Sequence, residues 1–595
     1  MRILNWMIML QFLKYVLATI IGLCLFVLIS FFVMAGIGSM LSSSDSVTTV
    51  KEKSVLKLNF DSYFTELTIP EDPFSDMFGD GTPNIGLNDF KSALANAAKD
   101  PNIKGISISL SNPMLGFGEM AEVKAALKDF KKSGKFIYTY SEFLSEKAVL
   151  LAAVADSSFL HPLGGVEFNG LSSEVTFIKG TLDKLGLEPL VFRVGEFKSA
   201  VEPFIRTDMS AESKEQVSQY IGSIAGNIYT DFAADKKMTK EEVDGILNKA
   251  SMLSADESTA NRLISAQAYQ DQYEDALRRK LGLKADAKIS YVSLSNYTKA
   301  KKYVPEGKSE NRIAVIVSEG EIVQGHGNEN VIGSDDFVKE IRKARKDKKI
   351  KAVVLRINSP GGSALASDIM WREIQLTRKE KPVIASMGDV AASGGYYMAM
   401  GCDTIVAHPT TITGSIGIFG LMLNSQKLMN EKLGVTFDGV KTHEFADSPS
   451  LTRKMSDAEK QTIQNMVNDG YETFTSKAAQ GRKMSIEKLK AVAGGRVWTG
   501  EQAKAHGLVD VLGGLDEAVA IAAKKVNLKE GDFQVKYYPY PKSELDRIIE
   551  RFSKKQEDAR MAAYLGELAP VYRQLLSVKN MDRIQARLMF VPEFR

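Results

Sequence analysis

The chain has only two cysteines, Cys24 and Cys402, among 595 residues. Two cysteines are too few for a disulfide framework or a zinc cluster. The net charge is also small, +3 from 76 basic and 73 acidic residues, which argues against a nucleic-acid binder, because such proteins usually carry a strongly basic domain or stripe. With 44% hydrophobic and 25% charged residues, the composition is that of a globular protein stabilised by hydrophobic cores.

Motifs for metals and cofactors are missing as well. The sequence has no His-Glu-x-x-His and no glycine loop followed by Lys-Ser/Thr that would cradle a phosphate. We therefore predict no metal and no cofactor.

Near its N-terminus the chain contains a long uncharged segment. Residues 15–40 include no Asp, Glu, Lys or Arg, and these 26 residues exceed the roughly 20 that cross a bilayer. A secretory signal has a shorter apolar stretch, so an uncleaved anchor is favoured, with a cleaved signal as the alternative. Because Arg2 and Lys14 precede the segment, the positive-inside rule predicts that residues 1–14 are cytoplasmic and that the body is extracytoplasmic.

The rest of the chain contains an internal repeat. Residues 103–113 resemble residues 350–360 at an offset of 247, and residues 156–162 resemble residues 403–409 at the same offset. Similarity at a fixed offset is typical of duplicated structural units. We predict a first unit and a second unit, joined by a polar linker and followed by a helical tail. The tail packs on the body or on another subunit, with a helix on the membrane surface as the alternative. The predicted bounds are 54–298, 311–540 and 541–595.

Each unit alternates β-branched runs with longer helical stretches, which predicts βαβ units, a largely parallel sheet and an α/β fold. In the second unit, the predicted strands are 313–317, 352–357, 383–386 and 404–407, and the predicted helices are 335–345 and 364–377.

The clearest chemical signal is at residues 386–397, where Ser393 follows two alanines and precedes Gly394 and Gly395. Small neighbours permit a sharp turn and let a substrate carbonyl approach the hydroxyl, and the N–H groups that open the next helix can stabilise negative charge. A tight turn without chemistry is the alternative interpretation.

A second glycine turn precedes it, at Gly361 and Gly362, and is either an oxyanion hole or only a turn. The first repeat has Met114 and Leu115 instead, and Glu146 or Lys147 in place of the serine. Residues needed for folding alone would be expected in both copies. Their absence from one copy favours catalysis.

A serine nucleophile needs a base. His408 is repeated as His161 in the unit without the serine, which favours a structural role. Lys198 aligns at an offset of 248 with Ala446, so each repeat lacks what the other has. A lysine is usually a solvated surface charge, but a buried lysine with a lowered pKa can act as a base.

Together, residues 386–397, 195–204, 413–417 and 495–510 resemble the long, duplicated bacterial form of the signal peptide peptidase A (protease IV) family. The resemblance implies tandem Clp-protease/crotonase-like units after a transmembrane helix. It also implies a Ser/Lys-dyad serine endopeptidase that degrades cleaved signal peptides and other small hydrophobic peptides. A homo-oligomer, with a tetramer favoured, and a bacterial inner-membrane location are further expectations.

By this resemblance Ser393 is the nucleophile, Lys198 is the general base, and the amides of Gly361, Gly362 and Gly394 hold the oxyanion. The base must be neutral near pH 7, which predicts an apolar pocket.

Ser415 resembles the hydroxyl that orients the lysine amine, and its counterpart in the first repeat is Phe168. A hydroxyl that merely satisfies a glycine turn is the alternative. Ile416, Ile418 and Phe419 are candidates for an apolar substrate groove, although the same residues would also serve as core. We expect Phe197 and Phe204 to wall the lysine pocket, and Glu196 and Glu202 to point away from it.

The sequence is compatible with two other classes of function. A crotonase-like acyl-thioester enzyme would also hold an oxyanion on backbone amides, but it would not need a serine and a lysine divided between two repeats. A non-catalytic membrane scaffold would not need these residues at all.

Overall fold

The computed structural model describes residues 14–29, 48–60, 64–68, 85–304, 309–328, 330–539 and 584–588. Residues 14–29 are helical (α1), whereas residues 30–40 of the predicted anchor lie outside the described residues. In the described part of the chain, no helix combines the length and the apolar character needed to cross a membrane.

The first repeat is built on a mostly parallel sheet with the strand order β6-β4-β3-β2-β1-β8, in which β7 also pairs with β4. Its strands are β1 (Ser54–Asn59), β2 (Ile103–Ser109), β3 (Phe136–Leu144), β4 (Ser157–Val166), β5 (Glu188–Arg193), β6 (Leu253–Ser254), β7 (Ala266–Gln267) and β8 (Tyr291–Ser293). Its helices are α2 (Leu87–Lys99), α3 (Phe117–Lys131), α4 (Glu146–Ala152), α5 (Lys179–Leu185), α6 (Glu202–Ile205), α7 (Ala211–Lys236), α8 (Lys240–Leu247), α9 (Ala255–Ala260), α10 (Gln270–Leu281) and α11 (Leu294–Thr298), with a 3-10 turn at Ser199–Val201.

The second repeat has a matching sheet with the order β18-β16-β14-β12-β9-β20, in which β15 pairs with β14 and β19. The strands from here on are β9 (Arg312–Glu319), β10 (Glu321–Val323), β11 (Val331–Gly333), β12 (Ile350–Ser359), β13 (Gly361–Ser363), β14 (Val383–Ala392), β15 (Thr404–Ala407), β16 (Ile412–Gly414), β17 (Phe419–Asn424), β18 (Val497–Thr499), β19 (Val511–Leu512), β20 (Gln534–Tyr538) and β21 (Gln585–Arg587). The helices are α12 (Ser334–Lys346), α13 (Ala364–Arg378), α14 (Gly394–Ala399), α15 (Asp457–Arg482), α16 (Ile486–Val492), α17 (Gly500–Ala505) and α18 (Leu515–Lys525), with a π-helical turn at Leu428–Lys432.

The duplication is visible in the helix ends. Helices α2 and α12 begin and end at residues that differ by 247 in number, and so do α3 and α13. The central strands β2 and β12 are fully buried at most positions, as their continuous β-branched runs predict for a parallel sheet covered on both faces. The α/β class and the tandem duplication are thereby confirmed.

The predicted strands and helices of the second repeat are all present, with the predicted bounds for β15 and longer bounds for the others. Strand β14 differs most, because it continues from Val383 through Ala392 and leaves only Ser393 as the turn. The predicted C-terminal helix lies outside the described residues except at 584–588, where β21 is a strand rather than a helix.

A third sheet joins the two repeats, with the order β11-β10-β13-β21-β17-β5. Strand β5 belongs to the first repeat by sequence, but it pairs antiparallel with β17 of the second over six residues, from Phe419 opposite Arg193 to Asn424 opposite Glu188. This pairing carries the chain that follows β5 into the second repeat.

Buried charges also join the repeats. The Arg356 guanidinium, fully buried on β12, lies 2.7 Å from a Glu66 carboxylate oxygen and 2.9 Å from one of Glu122. From β14, a carboxylate oxygen of Asp389 accepts hydrogen bonds from the Gly118 and Glu119 amides at the start of α3, at 2.6 and 3.1 Å. The strand that leads to Ser393 is therefore braced by the first repeat.

Candidate functional site

Ser393 stands at the junction between β14 and α14 with an unusual backbone conformation. Its φ of 53° and ψ of −107° are rarely adopted by a residue with a side chain, and such strain costs roughly 1–3 kcal/mol. The turn is held because the Ser393 amide donates to the Gly414 carbonyl at 2.9 Å, and the Tyr397 amide donates to the Ser393 carbonyl at 2.8 Å. Strain of this kind, maintained by its surroundings, is typical of a functional turn.

Lys198 reaches this turn from the other repeat. It lies five positions beyond the end of β5 and is 1% exposed. Its Nζ lies 2.9 Å from Ser393 Oγ, 3.0 Å from Ser415 Oγ and 3.2 Å from the Ser415 carbonyl oxygen. The structure thus brings the lysine to two serines that lie more than 190 positions away from it in sequence.

Two chain segments clamp the lysine. A Cβ on Gly495 would lie 2.6 Å from Lys198 Cβ, and a Cβ on Gly417 would lie 3.2 Å from Lys198 Cδ. Only glycine permits the backbone to approach the lysine stem this closely. The Phe197 amide donates to the Gly494 carbonyl at 3.2 Å, which ties the lysine segment to the segment that contains Gly495.

Burial lowers the pKa of Lys198 to about 7, and desolvation is the cause. An ammonium group loses its hydration in this pocket and gains no carboxylate to replace it, so the neutral amine is favoured. At neutral pH a substantial fraction of Lys198 is therefore neutral and able to accept a proton.

The pocket wall differs in part from the sequence-based expectation. The ring centroid of Phe419 lies 5.9 Å from Lys198 Nζ, whereas Phe197 packs under the Arg496 guanidinium at 4.4 Å. Phe204 is in the same hydrophobic cluster as Phe419. Thus Phe419, expected in the substrate groove, faces the lysine.

The two glutamates close to Lys198 in sequence have their carboxylates away from its amine, as expected. Glu196 is exposed, and Glu202 is buried but accepts a hydrogen bond from the Ser210 amide at 3.1 Å.

The glycine turn lies against the serine turn. Gly361 has a φ of 94°, and a Cβ there would lie 2.6 Å from the Gly394 amide nitrogen. A Cβ on Gly362 would lie 2.0 Å from the Ile322 carbonyl oxygen. Both positions therefore require glycine, and the turn brings the backbone at residue 361 close to the Gly394 amide beside Ser393.

Ser415 contacts the lysine as the resemblance implies. Like Ser393 it has a positive φ, 51°, and its amide donates to the Arg496 carbonyl at 2.7 Å. The next residues, Ile416 and Ile418, are buried in the hydrophobic core of the second repeat. In this structure their side chains pack as core residues.

Gln216 was not found by sequence reasoning. Its side-chain amide donates to the Phe197 carbonyl at 3.2 Å and to Ser199 Oγ at 2.8 Å, while its oxygen accepts from the Val497 amide at 3.2 Å. It thereby fixes the lysine segment against β18. A polar residue on a long helix gives no signal of this role, because its partners are distant in sequence.

The serine comparison between the repeats was wrong. Helix α4 follows β3 just as α14 follows β14, and the residue between strand and helix in the first repeat is Ser145. Strand β14 has one more residue than β3, which shifts the offset from 247 to 248 and hides the match. The first repeat therefore keeps a serine at this turn but lacks the glycines around it.

His408, which was considered as a base, and His443, a candidate base by residue type, both have other contacts. His408 Nε2 lies 3.1 Å from a Glu122 carboxylate oxygen in the contact between the repeats. His443 is exposed and has Thr442 Oγ1 at 3.0 Å from Nδ1.

Comparison with known proteins gives the family. Residues 129–284 and 375–529 each match Peptidase family S49, and together they make up just over half of the chain. The chain is 33% identical over 567 residues to "Protease 4" of Haemophilus influenzae, which covers 91% of each chain. It is 36% identical over 488 residues to "Protease 4" of Salmonella typhi, covering 80% of this chain and 78% of that one.

A plant relative is similar over a shorter range. "Serine protease SPPA, chloroplastic" of Arabidopsis thaliana is 35% identical over 450 residues, covering 75% of this chain and 66% of that one. With two family matches in tandem and relatives that align along nearly its whole length, this chain belongs to Peptidase family S49 in the long duplicated form of signal peptide peptidase A, and it is a serine protease.

Proposed function

We propose that the protein is a membrane-anchored endopeptidase with a Ser/Lys dyad, in which the second repeat supplies the nucleophile Ser393 and the first supplies the general base Lys198. The observation that carries this proposal is the 2.9 Å distance between Lys198 Nζ and Ser393 Oγ inside a pocket that lowers the pKa of the lysine to about 7. A serine becomes a nucleophile when a positioned neutral base accepts its proton.

In the proposed reaction, Lys198 takes the proton from Ser393 Oγ while the oxygen forms a bond to the substrate carbonyl carbon. The backbone amides at Gly361, Gly362 and Gly394 stabilise the oxyanion. The peptide C–N bond then breaks, and the lysine returns its proton to the leaving amine. Water attacks the acyl-serine by the same route, with the lysine again accepting a proton.

Ser415 is the proposed positioning residue for the amine. Its hydroxyl and carbonyl oxygens both accept from Lys198 Nζ, at 3.0 and 3.2 Å. These two contacts direct the remaining lone-pair position of the neutral amine toward Ser393.

The proposed substrates are cleaved signal peptides and other small hydrophobic peptides, as the relatives' names suggest; "Putative signal peptide peptidase SppA" of Enterococcus faecium is 34% identical over 231 residues. The proposed location is the bacterial inner membrane, with residues 15–40 as the anchor and the body on the periplasmic side. The uncharged run of residues and the two basic residues before it support this location.

The dyad is tested by peptide hydrolysis with the full chain in nonionic detergent between pH 6 and 10. We expect the parent rate to rise through one ionisation near pH 7, and Lys198→Met to lose at least about 10³-fold in kcat, as removal of a general base predicts. Lys236→Met is the matched control, because burial also lowers the pKa of Lys236, to about 8, at a helix end away from the site.

A Lys198→Met variant that keeps a tenth of the parent activity would exclude the dyad. A shift of the pH profile in Lys236→Met would mean that the ionisation belongs to another lysine.

A homo-oligomer, with a tetramer favoured, is part of the proposal, and the third sheet supports it. By the repeat offset of 248, the counterpart of β5 in the second repeat is residues 436–441, and the counterpart of β17 in the first is residues 171–176. Neither segment is in a strand, and residues 430–447 are exposed throughout. The pairing made once within the chain can therefore recur between chains, and such head-to-tail contacts form a ring when the rotation between neighbouring chains closes.

Light scattering of the detergent-solubilised chain tests the assembly. Val440→Asp, at a fully exposed position in this segment, is expected to yield monomers, whereas Leu163→Asp, at a position 90% exposed elsewhere, is the control. An unchanged mass for Val440→Asp would contradict pairing through residues 436–441.

A further inference from the structure

The C-terminal strand β21 lies beside the glycine turn. It is antiparallel to β13, with Gly361 opposite Arg587, Gly362 opposite Ala586 and Ser363 opposite Gln585. On its other side, Gln585 pairs with Phe419 of β17.

Both ends of the segment are tied down by backbone hydrogen bonds. The Leu588 amide donates to the Pro360 carbonyl at 2.7 Å, and the Ala364 amide donates to the Ile584 carbonyl at 3.3 Å. Residues 584–588 thus bind as an extended peptide inserted between two strands, which is how many proteins bind peptides.

One carbonyl of this strand lies against two of the proposed oxyanion glycines, Gly361 and Gly394. The Ala586 carbonyl oxygen is 2.2 Å from the position of a Cβ on Gly361 and 3.0 Å from that of a Cβ on Gly394. It therefore occupies the small space that exists only because both residues are glycine. A substrate carbonyl held for attack by Ser393 would need the same space.

Side chains reinforce the insertion. Ala586 is fully buried in the core cluster of the second repeat, and Ile584 packs against that cluster. On the opposite side of the strand, Arg587 Nη1 forms an ion pair with Glu321 Oε1 at 2.6 Å. These contacts give the segment a defined register in the groove.

We propose that residues 584–588 are an internal competitor that fills the peptide-binding groove of the same chain, so that a substrate must displace them before it is cleaved. The proposal rests on the proposed function, because it requires that Ser393 and the glycine turn act on peptides. A tethered competitor raises the apparent KM in inverse proportion to the fraction of time that the groove is free, and it leaves kcat unchanged.

The experiment compares KM and kcat of the full chain and of Arg587→Glu on one fluorogenic apolar peptide. This charge reversal replaces the ion pair with Glu321 by repulsion between two carboxylates, and we expect KM to fall about fivefold or more at constant kcat. Arg279→Glu, the same charge reversal at an exposed position of α10, is the control and should match the parent. The double variant Arg587→Glu with Glu321→Arg restores the pair and should restore the parent KM.

A second variant makes the test independent of the ion pair. Ala586→Trp places a large side chain where a fully buried alanine packs, which should expel the strand and lower KM in the same way. A synthetic peptide of residues 582–590 added to this variant should inhibit it competitively.

Several outcomes would overturn the proposal. Equal KM in all variants would show that the strand does not compete, and a fall in kcat would show that it completes the site instead. Loss of residues 587–595 from the purified parent by mass spectrometry would make the strand a substrate. If the parent neither hydrolyses peptides nor labels at Ser393 with a fluorophosphonate, the proposed function itself fails, and the competitor fails with it.

Discussion

The turn after β3 and the turn after β14 have the same place in the two repeats, yet they differ in conformation. Ser145 has a φ of −71° and a ψ of 167°, the extended conformation that commonly precedes a helix, whereas Ser393 has a φ of 53°. Ser145 is followed by Glu146, whose carboxylate accepts from the Tyr229 hydroxyl at 2.7 Å. Ser393 is followed by Gly394, which leaves its amide free of side-chain bulk.

The difference shows that a serine at this turn is insufficient for a site. The first repeat has a buried serine without the glycine turn, since Met114 stands where the second repeat has Gly361. Lys198, which follows β5 of the first repeat, contacts Ser393 of the second repeat. Duplication has thus placed two serine turns of different conformation at the same position in the two repeats.

The most direct test of whether the two turns differ in function is to remove each serine in turn. Ser393→Ala should lower kcat/KM for peptide hydrolysis by about 10⁴-fold or more, as loss of a nucleophile does in serine proteases. Ser145→Ala should remain within about twofold of the parent. A comparable loss in both variants would mean that the two turns share one function.

Restoring a side chain to the glycine turn tests the second difference. We expect Gly361→Ala to lower kcat by about 10²- to 10³-fold, because a Cβ at a φ of 94° would meet the Gly394 amide nitrogen at 2.6 Å and distort the oxyanion site. Met114→Ala, at the equivalent exposed position of the first repeat, should leave kcat unchanged. Full activity in Gly361→Ala would rule out this turn as the oxyanion site.

The pH dependence of peptide hydrolysis tests the role of Ser415, whose counterpart in the first repeat is Phe168. Ser415→Ala should lower kcat by about 10- to 100-fold through misplacement of the amine. It should also move the midpoint of the pH–rate profile below 7, because the Ser415 hydroxyl accepts from Lys198 Nζ and so favours the charged form. A lower kcat without a shift in the midpoint would indicate a role in folding of the turn alone.

The smallest effect concerns stability. The pKa of Lys198 is about 7 in the folded chain, against an ordinary lysine value of 10.5, so between these values the unfolded state binds more protons and the stability of the parent rises with pH. Burial costs roughly 5 kcal/mol at 1.36 kcal/mol per pKa unit, offset by hydrogen bonds of about 1 kcal/mol each.

We therefore expect Lys198→Met to increase the free energy of unfolding by about 2 kcal/mol at pH 7, and the gain to vanish above about pH 10.5. Urea unfolding at several pH values measures it. Ala446→Met, at the exposed counterpart of the lysine, serves as the control. A gain that persists at pH 11 would come from packing rather than from the lost charge.

Much of the fold could be predicted from the sequence. The offset of 247 and the β-branched runs of the second repeat identified its duplicated α/β unit, four of its strands and two of its helices, because buried parallel strands and amphipathic helices leave local patterns in composition. Ser393 stood out because its neighbours are alanines and glycines, and Lys198 and the glycine pair stood out because each differs in type from its counterpart in the other repeat. The matching Ser145 was missed because one extra residue in β14 shifts the alignment.

By itself the sequence determined the two repeats, the uncharged N-terminal segment and the residue types available for catalysis. Only the tertiary structure decided which of them meet. The pairing of β5 with β17 carries Lys198 across to Ser393, Phe419 faces the lysine amine, and β21 inserts between β13 and β17. Such contacts join residues up to several hundred positions apart, and they depend on strand edges and backbone conformation, which no local pattern of residues records.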